Sequence, residues 1–209
     1  MKICGITNSE DAEEAVRLGA WAIGLIHHGA SPRYCDPQRA AEIGAAFRRR
    51  CEVAGVFVNP ALDEVARAVE NAGLTIVQLN GDEGPSFCTE VARRTGAKVA
   101  KAIQVASGAD AHAAELYHTD FHLFDTRRPG LRGGTGKTFD WGLARERRSN
   151  VPLILAGGLR PENVADAICE VRPFAVDVAS GVEAEPGRKD RARLAEFFEA
   201  ANSASPVHT

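Results

Sequence analysis

Eight short apolar runs, each followed by an amphipathic stretch, constrain the fold of this chain more than any other feature. The runs are continuous and do not alternate with polar residues, which is typical of parallel strands covered on both faces. Strands that alternate with helices predict a parallel sheet with right-handed crossovers. The predicted strands are 2–4, 22–26, 53–58, 75–79, 99–103, 121–124, 153–156 and 174–178.

The predicted helices are bounded by residues that commonly begin or end helices. Asn8 or Ser9 precedes an amphipathic stretch with acidic residues in its first turn, and Gly19 follows it. Apolar residues recur at helical spacing from 62 until Gly73. Further helices are expected over 37–50, 85–94, 109–117, 164–171 and 190–200, with a short one after Asp140.

Eight strand–helix units can close into a barrel, which leaves no exposed sheet edge. An open doubly wound sheet is the alternative, but it usually has fewer strands and one dominant glycine-rich turn after the first. The glycine-rich turns of this chain come late. We therefore expect an α/β protein with a single (β/α)8 (TIM) barrel domain over residues 1–202, followed by a flexible polar tail over 203–209.

Composition and charge exclude several classes of protein. Of the 209 residues, 44% are hydrophobic and 25% are charged, and the net charge is −3, which argues against a nucleic-acid partner held by bulk positive potential. The sequence has neither a leader pattern nor an apolar run of membrane-spanning length, so we expect a cytoplasmic protein without a membrane partner. Five cysteines without C-x-x-C spacing favour reduced thiols, and neither they nor the histidines predict a metal site.

The ends of the predicted strands are unusually polar. In barrels of this kind the chemistry lies where the strands run into the loops that follow them. Most of the residues there are polar or reactive, although the strands themselves are apolar, and this pattern predicts a site. The strand-end residues are Cys4, His27, Asn59, Asn80, Gln104, Asp125, Gly157 and Ala179.

Cys4 and Asp125 are the two strand-end residues best suited to proton transfer. Cys4 ends the first strand and Asp125 the sixth, so a barrel places both on one face, across the mouth from each other. A thiolate and a carboxylic acid on opposite sides of a substrate suit paired proton transfers. The structural alternatives are a small buried cysteine and an aspartate that caps a turn.

A glycine-rich segment over 126–138 follows the sixth strand. Gly136-Lys137-Thr138 resembles part of a nucleotide-binding P-loop, but that motif requires a glycine where this chain has Leu131. We expect the segment to be a lid over the barrel mouth, the alternative being an ordinary surface connection.

Two glycine turns and an arginine predict anion sites at the same mouth. Gly157-Gly158 follows the seventh strand and Ser180-Gly181 the eighth, where barrels of this class commonly bind phosphate through backbone N–H groups and a short helix. Arg33 lies in the loop after the second strand and can clamp a carboxylate through two parallel hydrogen bonds. An exposed, solvated arginine is the alternative.

Taken together, the motifs resemble the phosphoribosylanthranilate isomerase family. The resemblance runs from residue 2 to about 200, with the motifs in the family's order. It is carried by Lys2-Ile3-Cys4-Gly5-Ile6-Thr7, Ser31-Pro32-Arg33, Gly55-Val56-Phe57-Val58-Asn59, Gln78-Leu79 with Gly81, Phe124-Asp125, the stretch 133–141, Ala156-Gly157-Gly158-Leu159, Pro161-Glu162-Asn163-Val164 and the stretch 177–183.

The resemblance implies a cofactor-independent Amadori rearrangement of a small phosphorylated amino-sugar in tryptophan biosynthesis. By analogy, Asp125 is the general acid that opens the ribose ring and Cys4 is the general base at the sugar C2. Arg33 would hold the anthranilate carboxylate, and Asp177 would support the site. Backbone amides of the two glycine turns would hold the phosphate, at Gly157, Gly158, Ser180 and Gly181.

Three positions differ from the family's pattern, namely the His27-His28-Gly29 stretch, Asn80 and Ala179, and we expect them to adjust the site without abolishing activity. The sequence leaves open a related barrel isomerase acting on the histidine-pathway aminoaldose, or on both substrates, although such enzymes usually have an aspartate where this chain has Cys4. It also leaves open a non-catalytic phosphate binder and a P-loop nucleotide protein. The sequence does not decide between a monomer and a homodimer.

Overall fold

The computed structural model describes residues 1–125, 141–145 and 147–204, which form ten strands and eight α-helices. The strands are β1 Lys2–Cys4, β2 Ala22–Ile26, β3 Glu52–Phe57, β4 Ile76–Leu79, β5 Lys98–Gln104, β6 Phe121–Asp125, β7 Leu153–Ala156, β8 Ala175–Val178, β9 Glu183–Glu185 and β10 Arg188–Lys189. The helices are α1 Ser9–Arg17, α2 Pro37–Phe47, α3 Leu62–Ala72, α4 Pro85–Thr95, α5 Gly108–Ala113, α6 Gly142–Arg145, α7 Val164–Val171 and α8 Arg191–Ala204.

Strands β1 to β8 form a closed barrel in chain order, with every neighbouring pair parallel. The barrel closes where β8 pairs with β1, with Lys2 opposite Asp177 and Ile3 opposite Val178. The predicted (β/α)8 barrel is therefore confirmed. The closure also brings residues from the two ends of the sequence together. Lys2 and Asp177 are paired across the closing strands although they lie 175 positions apart in the chain.

Two apolar layers stabilise the barrel. One fills its interior and the other packs the outer faces of the strands against the helices, as expected for a sheet buried on both sides. The interior layer contains small and aliphatic residues with one aromatic ring, namely Ala54, Ile76, Ala100, Phe121, Leu123, Ile154, Ala156 and Ala175.

The helix boundaries agree with the capping signals at most ends. The Asn8 side chain accepts a hydrogen bond from the Asp11 backbone N–H at 2.8 Å, and Gly73 ends α3 in the left-handed conformation at φ 59°. The expectations over 37–50 and 109–117 were too long. Helix α2 ends at Phe47, and after α5 the chain continues as a 3₁₀ turn over Ala114–Leu116.

The end of the chain differs from the sequence-based expectation. Helix α8 continues to Ala204, so the predicted tail boundary after 202 falls inside the helix, because Leu194, Phe197, Phe198 and Ala201 keep burying one helical face. Residues 205–209 lie outside the described residues. The β9–β10 hairpin was not predicted, since strands of three and two residues leave no detectable pattern. The glycine-rich segment expected to form a lid also lies outside the described residues, in 126–140.

Three aromatic rings close the amino end of the barrel, and we call this cluster the barrel floor. Trp21 precedes β2, Phe121 begins β6 and Phe174 precedes β8. Their ring centroids lie 5.2–5.5 Å apart, with Trp21 meeting both phenylalanines edge-on. The three rings pack together at this end of the barrel, beneath the interior layer.

Candidate active site

A cavity of about 200 Å³ lies at the carboxyl ends of the barrel strands, and we call it the mouth cavity. Seven of the eight predicted site residues line it, namely Cys4, Arg33, Asp125, Gly157, Gly158, Asp177 and Ser180. The eighth, Gly181, does not line the cavity. It packs against Leu159, where a side chain would collide with the carbonyl oxygen of that residue. The barrel thus brings together residues from both ends of the sequence.

Cys4 ends β1 with its side chain almost buried, at 7% exposure. Gly24, its partner in β2, leaves room for the thiol, because a Cβ at this glycine would lie 2.8 Å from Cys4 Sγ. Burial raises the pKa of the Cys4 thiol, while the charges of Lys2 and Lys189 act in the opposite direction. Burial outweighs these charges, so the pKa of the Cys4 thiol in the substrate-free protein lies above its ordinary value.

Lys2 and Asp177 form a buried ion pair inside the barrel, directly below Cys4. Lys2 Nζ donates to Asp177 Oδ1 at 2.9 Å, and the two side chains are only 1% and 8% exposed. Burial alone would lower the pKa of Lys2, but the charges of Asp177 and Cys4 outweigh it and raise the pKa. Lys2 is therefore a charged residue inside an otherwise apolar barrel.

Lys189, on β10, fixes the upper end of β1. Its Nζ donates to the carbonyl oxygens of Cys4 at 2.6 Å and Ala179 at 3.1 Å, and to Glu183 Oε1 at 3.0 Å. The β9–β10 hairpin thus ties the ends of β1 and β8 together. Burial lowers the pKa of Lys189, and the charge of Glu183 only partly offsets this.

Arg33 lies across the mouth cavity and is held by Glu183. Its Nε donates to Glu183 Oε1 at 2.8 Å and its Nη2 donates to Oε2 at 2.6 Å. Burial alone would raise the pKa of Glu183, but the hydrogen bonds from Arg33 and the charge of Lys189 lower it below its ordinary value. Gly5, at φ 74°, leaves room for the arginine, since a Cβ there would lie 2.8 Å from Arg33 Cδ.

One edge of the Arg33 guanidinium is already occupied by a carboxylate of the protein itself. The pair of parallel hydrogen bonds expected for a substrate carboxylate is already formed with Glu183 on the Nε–Nη2 edge of the guanidinium. Within the described ranges the remaining Nη1 donor has no hydrogen-bond partner in the chain. The other edge of the guanidinium, formed by Nη1 and Nη2, is therefore the one on which two parallel hydrogen bonds to a further carboxylate are geometrically possible.

Two consecutive glycines after β7 shape the opposite side of the cavity. Gly157 and Gly158 have φ angles of 88° and 68°, and nothing lies within 4 Å of a Cβ built at Gly158. Asn163 holds this turn by donating to the Gly158 carbonyl oxygen at 3.1 Å and accepting from the Arg160 N–H at 2.8 Å. The predicted short helix after β8 is a 3₁₀ turn of three residues beginning at Ser180.

The remaining strand-end residues divide into two groups. Asn80, Asp125 and Ala179 line the mouth cavity, and Asp125 pairs in the sheet with Gln104 and Ala156. His27, Asn59 and Gln104 are not among its lining residues. Asn59 bonds to the loop after β4 through the Asp82 N–H, and His27 stacks on Phe57 with centroids 4.8 Å apart. Asn59 and His27 therefore support the structure around the mouth.

A wider depression of about 460 Å³ lies at the other end of the barrel. It is lined by Glu115, Tyr117, His118, Arg148, Ser149, Asn150 and Val151, near the starts of β6 and β7. None of the predicted site residues contributes to it, so its larger volume does not make it the candidate site. Among the residues that the structure describes, no group of His, Cys, Asp and Glu side chains is suited to hold a metal ion.

Three residues of the site were missed by the sequence-based reasoning, namely Lys2, Glu183 and Lys189. Lys2 carries a detectable signal, because a lysine at an inward position of a buried strand requires a partner. Glu183 lies in the last of the family motifs but was given no role. Lys189 follows the unpredicted hairpin, and its contact with Cys4 spans 185 residues, so no local pattern indicates it.

Comparison with known proteins identifies the family. The family model described as N-(5'phosphoribosyl)anthranilate (PRA) isomerase matches residues 1–200. An N-(5'-phosphoribosyl)anthranilate isomerase from Geobacter sulfurreducens is 45% identical over 198 residues, covering 95% of this chain and 96% of that relative.

Two solved structures are similar over nearly the whole chain. Monomers generated from the dimeric phosphoribosylanthranilate isomerase of Thermotoga maritima share 40% identity at a TM-score of 0.84, with 97% of each chain covered. A phosphoribosyl anthranilate isomerase in complex with reduced 1-(o-carboxyphenylamino)-1-deoxyribulose 5-phosphate shares 38% identity at a TM-score of 0.82, with 97% of each chain covered. The chain therefore belongs to the PRA isomerase family.

Proposed function

We propose that the mouth cavity isomerises N-(5'-phosphoribosyl)anthranilate to 1-(o-carboxyphenylamino)-1-deoxyribulose 5-phosphate, with Asp125 as general acid and Cys4 as general base. The observation that carries this proposal is that both side chains line one cavity, together with Arg33 and the Gly157-Gly158 turn. An acid and a base in a cavity with two anion-binding sides suit a sugar with a phosphate at one end and a carboxylate at the other.

The reaction begins at Asp125. Its carboxylic acid gives a proton to the ribose ring oxygen, and the bond between C1 and that oxygen breaks. The nitrogen lone pair forms a C1=N double bond, which produces an open-chain protonated Schiff base. This step requires Asp125 to be protonated when the substrate binds, and its position at the end of β6 places it in the wall of the cavity.

Cys4 acts in the second step. Its thiolate removes the proton from C2, the electron pair of that C–H bond forms C1=C2, and the C1=N electrons return to nitrogen. The resulting enolamine becomes the ketone as C1 gains a proton and the C2 hydroxyl loses one. Protons taken and given balance over the cycle, so the rearrangement consumes no cofactor.

Two anion sites hold the sugar between acid and base. The N–H groups of the Gly157-Gly158 turn and of Ser180-Gly181 are proposed to bind the phosphate, with open space at Gly158 for its close approach. The free edge of Arg33 is proposed to bind the anthranilate carboxylate. Asp177 is proposed to act indirectly, by holding Lys2 beneath Cys4.

The location and the assembly of the protein are also proposed. No helix within the described ranges is long and apolar enough to cross a membrane. We propose a cytoplasmic location for the protein, with the barrel that ends at α8 as its single domain. We propose that it is either a monomer or a homodimer, as the Thermotoga maritima relative is described as dimeric. Light scattering of the purified chain separates the two assemblies.

A fluorescence assay of phosphoribosylanthranilate consumption tests the proposed reaction. We expect the purified chain to consume this substrate without added metal or cofactor. We expect no turnover of the histidine-pathway aminoaldose in a parallel assay, since Cys4 stands where enzymes for that substrate usually have an aspartate. A folded chain that fails to consume phosphoribosylanthranilate would overturn the proposal.

A further inference from the structure

Lys2 is a buried cation in the mostly apolar interior of the barrel, and the proposed reaction gives it no direct role. It is 1% exposed, and the interior layer beneath the mouth cavity is built from alanine, aliphatic and aromatic residues. Placing an ammonium group in such a site is unfavourable unless the charge is paired and hydrogen-bonded. Asp177 supplies the opposite charge, at 2.9 Å.

The position of Lys2 Nζ brings it close to the Cys4 thiol. A Cβ built at Gly24 would lie 2.8 Å from Cys4 Sγ and 3.2 Å from Lys2 Nζ, so the two atoms are at most about 6 Å apart. Gly24 therefore leaves the space in which the thiol and the ammonium meet. At this separation in a buried site, an opposite charge commonly stabilises an ionised group by one to several pKa units.

Among the described residues, four charged groups act on the Cys4 thiol. The charges of Lys2, Lys189 and Arg33 favour the thiolate, whereas the charge of Asp177 opposes it. Asp177 also faces the Met1 amino group, and Glu183 pairs with both Arg33 and Lys189. Asp125 lines the same cavity. Loss of one of the three cations is therefore expected to destabilise the thiolate.

Lys189 is not the cation that contacts the thiolate. Its three N–H groups donate to the Cys4 carbonyl oxygen, the Ala179 carbonyl oxygen and Glu183. All its donors are therefore used, and they hold the backbone of Cys4. Lys2, by contrast, donates to Asp177 and has further N–H groups on the side where Sγ lies.

We propose that Lys2 is a positioning residue whose ammonium group, held by Asp177, stabilises the Cys4 thiolate beneath the mouth cavity. The inference rests on the proposed function and extends it by assigning the source of the base's ionisation. Burial raises the pKa of the Cys4 thiol and the charge of Asp177 adds to this, while the charge of Lys2 is the largest influence in the opposite direction. Burial would lower the pKa of Lys2, but the charges of Asp177 and Cys4 outweigh it and keep the ammonium protonated.

The test is the pH dependence of Cys4 alkylation by iodoacetamide in the substrate-free protein, followed by mass spectrometry of the peptide that contains it. In Lys2→Met we expect the midpoint of Cys4 alkylation to move to higher pH by about 1 unit or more, and the rate at pH 8 to fall about 10-fold. This readout requires no turnover, so the inference can fail while the isomerase proposal stands, or the reverse.

Lys101→Met is the matched control. Lys101 is also a buried strand lysine, 3% exposed and paired with Glu83 at 2.7 Å, but it lies outside the mouth cavity. Both variants lose one cation from a buried pair and are expected to unfold at lower temperature. Only Lys2→Met is expected to move the Cys4 midpoint and, with it, the acidic limb of the pH profile of kcat/KM.

The double variant Lys2→Met, Asp177→Asn covers the case in which Lys2→Met alone does not fold, since it leaves no unpaired buried carboxylate. Its Cys4 midpoint should also lie above that of the unaltered protein. A midpoint unchanged from the unaltered protein, in whichever of the two variants folds, would overturn the inference, and so would an equal shift in Lys101→Met.

Discussion

The two ends of the barrel differ in what their residues contribute. At the floor, Trp21, Phe121 and Phe174 meet through aromatic faces and edges and carry no ionisable group. At the mouth, charged side chains from β1, β8 and the β9–β10 hairpin are buried beside a cavity. The same barrel therefore has an aromatic cluster near the starts of β2, β6 and β8, and buried ion pairs beneath and beside the mouth cavity.

This difference has a physical cause. Apolar packing needs only shape and burial, so it can close the floor without partners of a particular charge. Buried ions require specific partners, and each that loses its partner becomes strongly unfavourable. The buried charges at the mouth accordingly occur in pairs, Lys2 with Asp177 and both Arg33 and Lys189 with Glu183.

The largest expected effect is on stability, at the floor. Phe121 is 7% exposed, and replacing it with alanine removes a ring from the interior layer and the aromatic cluster. We expect Phe121→Ala to lower the free energy of unfolding by about 3–5 kcal/mol, measured by denaturant titration, with kcat of the folded protein nearly unchanged.

Phe174 provides the control within the same cluster. It is 57% exposed, so Phe174→Ala should lower the free energy of unfolding by only about 1 kcal/mol. A large loss of kcat in either folded variant would contradict the separation of the two ends.

The next effect is on catalysis, at the mouth. We expect Cys4→Ala and Asp125→Asn each to reduce kcat by at least ~100-fold, because each removes one of the two groups proposed to transfer protons. Steady-state turnover of phosphoribosylanthranilate measures both.

Matched controls exist for both changes. Cys35 is a buried thiol that does not line the cavity, and Asp120 precedes β6 at its amino end, where it accepts a hydrogen bond from the Val99 N–H. Cys35→Ala and Asp120→Asn should retain turnover close to that of the unaltered chain. Near-normal kcat in Cys4→Ala or Asp125→Asn would remove that residue from its proposed role.

A third effect concerns the pH dependence of stability near the mouth. Burial lowers the pKa of His27 to about 4. As pH falls below about 6.5, His27 binds a proton in the unfolded chain, whereas in the folded chain it does so only near pH 4. The free energy of unfolding therefore decreases between about pH 6.5 and pH 4. Chemical unfolding at pH 7.5 and pH 5 should differ by about 2 kcal/mol through this residue.

His27→Phe isolates the contribution, since it keeps a ring against Phe57 and removes the titrating group. The pKa of His122 is also lowered by burial and contributes in the same direction, so the difference between variant and unaltered protein is the quantity to compare. An identical pH dependence in both proteins would show that His27 does not destabilise the fold at low pH.

The smallest expected effect is on substrate binding. Arg33→Ala should raise KM about 10-fold with a smaller change in kcat, because it removes a charged hydrogen-bond donor proposed for the substrate carboxylate. Arg50 offers a matched comparison, since it also makes a two-point contact with a carboxylate, that of Glu13, on the exposed surface. Arg50→Ala should leave KM unchanged, and an unchanged KM in Arg33→Ala would exclude Arg33 from the site.

Much of the architecture was predictable because it depends on local patterns. Continuous apolar runs identified all eight barrel strands, and capping residues such as Asn8 and Gly73 placed helix ends within a few residues. The site was partly predictable for the same reason, because a residue at a strand end must lie at the barrel mouth once the barrel closes. Its predicted members line the cavity except Gly181, whose missing side chain serves close packing against Leu159.

The sequence by itself determined the number and order of the strand–helix units and which polar residues would stand at the strand ends, since periodicity and capping act over a few residues. Only the tertiary structure decided the charge partners. Lys2 meets Asp177 across 175 residues, Lys189 meets the Cys4 carbonyl across 185 and Arg33 meets Glu183 across 150. These contacts exist because β8 pairs with β1 in one particular register, and that register follows from packing the whole barrel.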